Sequence, residues 1–379
     1  MKPIIFFLAM FFVLFPVPAK SGQAASVKFP QTLPLETMIG QMVMVGFRGD
    51  GSSPESREMR IILEDIRAGT IGGVIFFDRD WQTRKRGRNI VSLAQVAKLT
   101  ALLQKNAPIP LFIAVDQEGG RVQRLRSAHG FSDTPSAAVL GKGTPAQTRE
   151  TALSMGTALR ELGITVNFAP VADIAVHPEG PAIGALERAF SNDGERAAKH
   201  ARAFLDGLGQ AGIIGSYKHF PGHGSATADT HHGLTDITAT WREEELLPYA
   251  KLSKNGPYMV MTGHLVHKGL DPEYPASLSP AITTSLLRDR IGWQGVVITD
   301  DLEMAAIDSF YSMEERIRLA INAGVDIILF GNNIAYHPEQ GRRVHAAISN
   351  LVRTGAISEQ RIAESWARIR ALKEMMKTE

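Results

Sequence analysis

The segment Lys218-His219-Phe220-Pro221-Gly222-His223-Gly224, continued by Asp229-Thr230-His231-His232, gathers four histidines within fourteen residues beside a lysine and an aspartate. A metal site is one reading, because His219 and His223 are four apart, the spacing that puts two ligands on one helical face. Pro221 and Gly222 lie between them and oppose a helix. The segment therefore reads as a strand end, a tight turn and a loop; zinc becomes a minor alternative, and no metal is expected. Asp229 and His231 are two apart. A carboxylate that close can bond one ring nitrogen, set the tautomer and stabilise the protonated ring. The other nitrogen can then give a proton to a leaving oxygen and take one back from water. The plain alternative, a structural hydrogen bond for each histidine, is weakened by how many of them crowd together.

Two further segments offer chemistry. Gly295 to Met304 reads as a strand ending in Asp300 and Asp301. One of the pair could cap a helix. The other reading is a carboxylate nucleophile, with strand alternation turning Thr299 and Asp301 away from Asp300. Asp116-Gln-Glu-Gly-Gly-Arg121-Val-Gln-Arg124 places an acid at a strand end and two arginines after a glycine turn. Such groups grip sugar hydroxyls through charge-assisted hydrogen bonds; a surface ion pair is the plain alternative.

Something must position these groups. Eight strand-like apolar runs recur along the chain: Met38–Phe47, Gly73–Phe77, Leu111–Val115, Thr165–Pro170, Ile213–Lys218, Tyr258–Thr262, Gly295–Thr299 and Val325–Phe330. Most are short and apolar on both faces, as buried parallel strands are. Helical spacing of apolar residues fills the intervals over Ile90–Asn106, Gln147–Leu162, Gly194–Leu208, Trp241–Lys254, Ile282–Ile291, Met313–Ala323, Tyr336–Arg353 and Ser358–Met376. The alternation predicts an α/β fold, and eight strands point to a single-domain (β/α)8 TIM barrel, with a doubly wound sheet as alternative. Asp116, Asp173, Lys218, His219, His264, Asp300 and Asn332 all fall at or just beyond strand C-termini, which converge on one mouth in a barrel.

Composition narrows the setting. In 379 residues with 44% hydrophobic there is material for a sizeable core. Lys2 and the apolar run Ile4–Val17 read as a secretory signal, taken as residues 1–25, with 26–379 as the catalytic domain. An exported protein, periplasmic or secreted, is expected, with no stable membrane span after cleavage. Loss of Lys2 and Lys20 would bring the 41 basic residues level with the 39 acidic ones. A near-neutral chain lacks the basic face of a general nucleic-acid binder. One basic cluster, Arg84, Lys85, Arg86 and Arg88, reads as a solvated loop, with contact to an anionic envelope polymer as the minor alternative. The absence of cysteine excludes disulfides, thiolate catalysis and a lipidated cysteine.

Together these segments resemble family 3 glycoside hydrolases, in particular the compact β-N-acetylglucosaminidase branch. The resemblance runs from about Thr37 to Arg370 and rests on Asp116–Leu125, Asn167–Asp173, Ala182–Phe190, Lys218–His232, Met261–His264 and Ile298–Met304. It implies a retaining mechanism with Asp300 as nucleophile, His231 as general acid/base and Asp229 as its partner. It also implies that Asp116, Arg124, Arg188, Lys218 and His219 bind sugar, with His264 nearby. The expected partner is an N-acetylglucosamine-containing saccharide, from peptidoglycan or chitin, with no cofactor and a monomeric chain. The second α/β domain of many family members is expected to be absent. Phosphorolysis is the close alternative, because a neutral histidine repels phosphate less than a carboxylate would. A β-glucosidase or xylosidase, and a non-catalytic sugar-binding envelope protein, are more distant ones.

Overall fold

The structure, a computed structural model, describes residues 29–231, 233–253 and 256–376, so the expected signal at 1–25 lies outside the described residues. Eight short parallel strands form the centre: β1 Val43–Gly46, β2 Gly73–Ile75, β3 Phe112–Val115, β4 Val166–Asn167, β5 Gly215–Phe220, β6 Tyr258–Thr262, β7 Val297–Thr299 and β8 Ile328–Phe330. Every residue in them is buried, which is why their sequences show apolar runs rather than alternation.

The regular ladders fall into two parallel sheets. One has five strands in the order β8-β1-β2-β3-β4, and the other has three, β7-β6-β5. Single parallel bridges lie between their margins, Val166 with Ile214 and Ile298 with Ile327. Helices occupy the connections. Pro145–Glu161 and Gly194–Gln210 pack against each other, and Gln340–Arg353 and Glu359–Glu374 end the described chain. Their starts are written in the sequence. Thr144 precedes Pro145 in a capping box with Gln147, and Ser92 and Ser312 do the same for Leu93–Lys105 and Met313–Ala323.

Several boundaries differ from the sequence expectation. The run Met38–Phe47 is split: Leu35–Gln41 is helical and only Val43–Gly46 pairs as a strand. Apolar content alone does not separate a buried helical turn from a strand. The helix Arg57–Arg67 was not anticipated, although Met59, Ile62, Leu63 and Ile66 have helical spacing after the Ser56 cap; its charged outer face hid it. The long helix expected over Trp241–Lys254 is instead two short turns, Glu243–Leu246 and Leu247–Ala250. Pro248 cannot donate at their junction, and Glu245 turns inward to serve a loop described below.

Candidate active site

The strand C-termini bring the candidate residues together. Asp116 follows β3 and Lys218 lies in β5, and Lys218 Nζ donates to Asp116 Oδ1 at 3.0 Å. Arg124 Nη2 meets the other oxygen of Asp116 at 3.3 Å. Arg124 is aimed by Gln117, whose side-chain oxygen accepts from the Arg124 and Leu125 backbone N–H groups. Asn167 in β4 fixes Gln117 in turn by two hydrogen bonds to its backbone.

A residue that sequence reasoning passed over completes this cluster. Glu118 accepts a two-pronged bond from Arg188, with both nitrogens at 2.8 Å, and pairs with Lys218 at 2.7 Å. Its signal was the i, i+2 spacing from Asp116, which puts both acids on one face of an extended segment. Burial works against both carboxylates, but Lys218 and Arg124 hold Asp116 below the usual carboxylate range, and Arg188 and Lys218 hold Glu118 well below it. The same acids raise Arg188 and Lys218 despite burial. All four groups are therefore ionised at neutral pH, which forms a fixed polar cradle.

Asp173 is the second anchor. Its Oδ1 accepts from the backbone N–H groups of His219 and His223, and its Oδ2 faces His219 Nδ1 at 2.8 Å. This assigns the His219 proton to Nδ1 and leaves Nε2 free of that bond. His223 is buried and spends Nε2 on Thr230 at 3.3 Å. Burial first, then His219, pushes its ring down to about 4, so it stays neutral. His219 lies in β5, one residue before its end, and His223 follows the Pro221 turn, so the two do not share a helical face.

Asp300 follows β7. Its Oδ1 accepts from the Asp301 N–H at 2.8 Å. Burial favours its protonated form, but His219, His264 and His231 outweigh this and hold it below the usual range. Asp301 points the other way, accepting from Gly331 and Glu303 N–H groups. A Cβ on Gly331 would lie 2.2 Å from that carboxylate, so the close approach requires glycine there. Burial pushes Asp301 up to about 6 and Glu303 up to about 8, with the charge on Asp301 adding to the rise in Glu303. Burial and the Asp301 charge thus favour the neutral form of Glu303.

His264 has both ring nitrogens engaged within the protein, Nδ1 with Ser277 Oγ at 2.7 Å and Nε2 with the Asp301 carbonyl at 2.8 Å. No ring nitrogen remains for a sugar; the residue steadies the Asp300–Asp301 step instead.

The loop after β5 carries the remaining pair. Asp229 Oδ1 accepts from the His231 backbone N–H at 2.9 Å and faces His231 Nδ1 at 2.8 Å. The His231 side chain is 60% exposed, so its Nε2 is open to a ligand. The bond to Asp229 first, then the charge on Asp300, raises its pKa. The loop is held at its root by Glu245, which is fully buried and accepts from the Gly224 and Ser225 N–H groups. A surface hollow lined by Gly141, Glu187, Phe190 and Arg196 contains none of the candidate groups.

The arrangement offers a buried carboxylate, an imidazole whose proton affinity that carboxylate raises, and a charged cradle able to hold hydroxyl groups. Comparison with known proteins agrees with that chemistry. Residues 34–372 match the model of the glycosyl hydrolase family 3 N terminal domain. Beta-hexosaminidase A of Pseudoalteromonas piscicida is 33% identical over 93% of this chain and 63% of its own length. Beta-hexosaminidase of Xylella fastidiosa is 35% identical over 83% of this chain and 92% of its own. A family 3 beta-N-acetylglucosaminidase from a Paenibacillus species superposes with a TM-score of 0.81 at 36% identity, covering 91% of this chain and 63% of that one. The chain therefore spans 63% of the length of two of these relatives. Beta-N-acetylhexosaminidase from Beutenbergia cavernae superposes at 0.78 with 31% identity, covering 91% of this chain and 99% of that one.

Proposed function

The chain belongs to glycosyl hydrolase family 3, and we propose that it hydrolyses terminal β-linked N-acetylglucosamine with retention of configuration. The observation that carries this is the pairing of His231 Nδ1 with Asp229 at 2.8 Å beside a buried Asp300: surrounding histidines lower the pKa of Asp300, and Asp229 and Asp300 raise that of His231. In the first step the Asp300 carboxylate attacks the anomeric carbon as His231 Nε2 gives its proton to the departing oxygen. In the second, His231 takes a proton from water, which attacks the same carbon and releases Asp300. Asp116, Arg124, Arg188, Lys218 and His219 hold the sugar; Glu118 fixes Arg188 and Lys218. Retaining glycosidases mostly use a second carboxylic acid where this chain has a histidine.

We read the two sheets as one closed barrel, supported by the two bridges between their margins and by the meeting of residues from or beyond β3, β4, β5, β6 and β7 at one site. Residues 1–25 are read as a signal that exports the enzyme to the periplasm or medium, where peptidoglycan fragments or chitin oligosaccharides are the substrates. No helix among the described residues is long and apolar enough to cross a membrane.

The test is turnover of p-nitrophenyl β-N-acetylglucosaminide against the β-glucoside in phosphate-free buffer. A strong preference for the acetamido sugar is expected. Preference for the glucoside overturns the specificity, and turnover that appears only with phosphate replaces hydrolysis by phosphorolysis.

A further inference from the structure

His223 and Thr230 belong to the segment richest in reactive side chains, yet neither takes part in the two chemical steps above. The geometry of the loop after β5 gives them a task. The loop leaves the body at Ala226, which clusters with Ile237 and Leu265, and returns at Thr235, which pairs with Leu265. Between these anchors, among the described residues 227–231, 233 and 234, Thr230 alone is buried, with 2% of its surface exposed. It stands between Asp229 and His231, whose side chains keep 21% and 60% of their surface open.

The bonds within the Asp229–His231 pair cannot by themselves place it. Both run from His231 to Asp229, so they fix the imidazole relative to the carboxylate and leave the pair free to travel with the loop. Among the described residues, no hydrogen bond joins His231 to Asp300, although the Asp300 charge helps to raise its pKa. One hydrogen bond among the described residues ties 227–231 to the rest of the protein: Thr230 Oγ1 with His223 Nε2, at 3.3 Å.

His223 is built to hold that contact. Asp173 Oδ1 accepts from its backbone N–H, and the same carboxylate orients His219. The two rings pack edge to face with centres 5.4 Å apart, and Glu245 accepts from the next two backbone N–H groups. The His223 Nδ1 is buried and has no hydrogen-bond partner. Leaving a buried polar atom unpaired is unfavourable, and an apolar side chain would fill the same space without that cost. The ring is therefore explained by the nitrogen that does bond, the one facing Thr230.

We infer that the His223–Thr230 contact is a pin that positions the general acid/base, holding the exposed loop so that His231 stands opposite Asp300 with the sugar between them. His223 and Thr230 are positioning residues that act through His231. The inference rests on the hydrolase reading above.

The experiment removes the pin and keeps the shape, by Thr230→Val. Rates are compared on a β-N-acetylglucosaminyl disaccharide, whose leaving oxygen needs a proton, and on 2,4-dinitrophenyl β-N-acetylglucosaminide, whose leaving group does not. Thr230→Val should lower kcat/KM roughly 10–100-fold on the disaccharide and at most about threefold on the dinitrophenyl substrate. Inhibition by N-acetylglucosamine should be unchanged, because the Asp116–Lys218 cradle is untouched. Thr230→Ser should retain most of the activity, and in a His231→Ala background Thr230→Val should cost nothing further. Wild-type rates in Thr230→Val, equal losses on both substrates, a serine variant as poor as the valine one, or losses that multiply with His231→Ala overturn the proposal. If the wild type turns over neither substrate, the hydrolase reading fails instead, and NMR titration of the His231 ring decides the pin. Asp300→Asn should lower the His231 pKa when Thr230 is present and lower it less in Thr230→Val; the same shift in both backgrounds overturns the pin.

Discussion

At the scale of single residues, the site separates groups by charge state. Asp300 is low, His231 is raised, His223 is pushed down and Glu303 up, and each has a nameable cause. The Asp229 bond is the largest contribution at His231, so Asp229→Asn should lower the imidazole pKa. The sign follows: the general acid works below its pKa, so the alkaline limb of the kcat/KM profile should move to lower pH. An unmoved limb would separate that limb from His231. His231→Ala should cost roughly 10²–10⁴-fold on a disaccharide, whose leaving oxygen needs a proton, and much less on p-nitrophenyl substrates. Equal losses would argue against proton donation. Much of this chemistry was legible in the sequence, because Asp229–His231 and Asp300 announce themselves by spacing and strand position. Glu118 and Asp173 as anchors were less visible, since their importance comes from what they bind in other strands: Arg188 across 70 residues and His219 across 46.

At the scale of elements, the loop that carries Asp229 and His231 depends on one buried acid. Burial is the main reason Glu245 is pushed up to about 7, with Asp173 adding to it. Its folded pKa lies above the unfolded value, so the folded state binds the extra proton. Stability should therefore decline as pH rises from about 4.5 to about 7, by at most roughly 3 kcal/mol. Urea denaturation at several pH values checks this, and Glu245→Gln should flatten that part of the profile; an unchanged profile would assign the dependence to other groups. Gly222 sits against this acid with φ of +128°, and a Cβ there would lie 2.6 Å from the Glu245 Cβ. The short turns around Glu245 were read from sequence as one long helix, because helical spacing in Trp241–Lys254 says nothing about an acid committed to a neighbouring loop.

At the scale of the whole molecule, the eight strands and most of their helices follow from the apolar pattern. The sequence does not show how the C-terminal helices are locked to the sheet. Asp326 does this from just before β8: it accepts from Arg288 at 2.7 Å, from Arg361 and Arg368 at 3.0 Å, from Ser365 at 2.9 Å and from the Val297 N–H. Burial opposes its charge, but the three arginines hold it ionised. Asp326→Asn would leave three cations around a neutral amide, two of them largely buried, and should cost roughly 3–5 kcal/mol, read as a lower urea midpoint with the slope unchanged. A loss below about 1 kcal/mol would mean that packing, rather than this clasp, fixes the helices.

The central claim is that Asp300 becomes covalently glycosylated during turnover. It is tested most directly by intact-mass and peptide mass spectrometry after incubation with a ring-fluorinated N-acetylglucosaminyl fluoride, which slows breakdown of such an intermediate. The account predicts one added sugar on the peptide containing Asp300, released over time with recovery of activity, and no label in Asp300→Ala. Label on a different carboxylate, or normal turnover by Asp300→Ala, would contradict it.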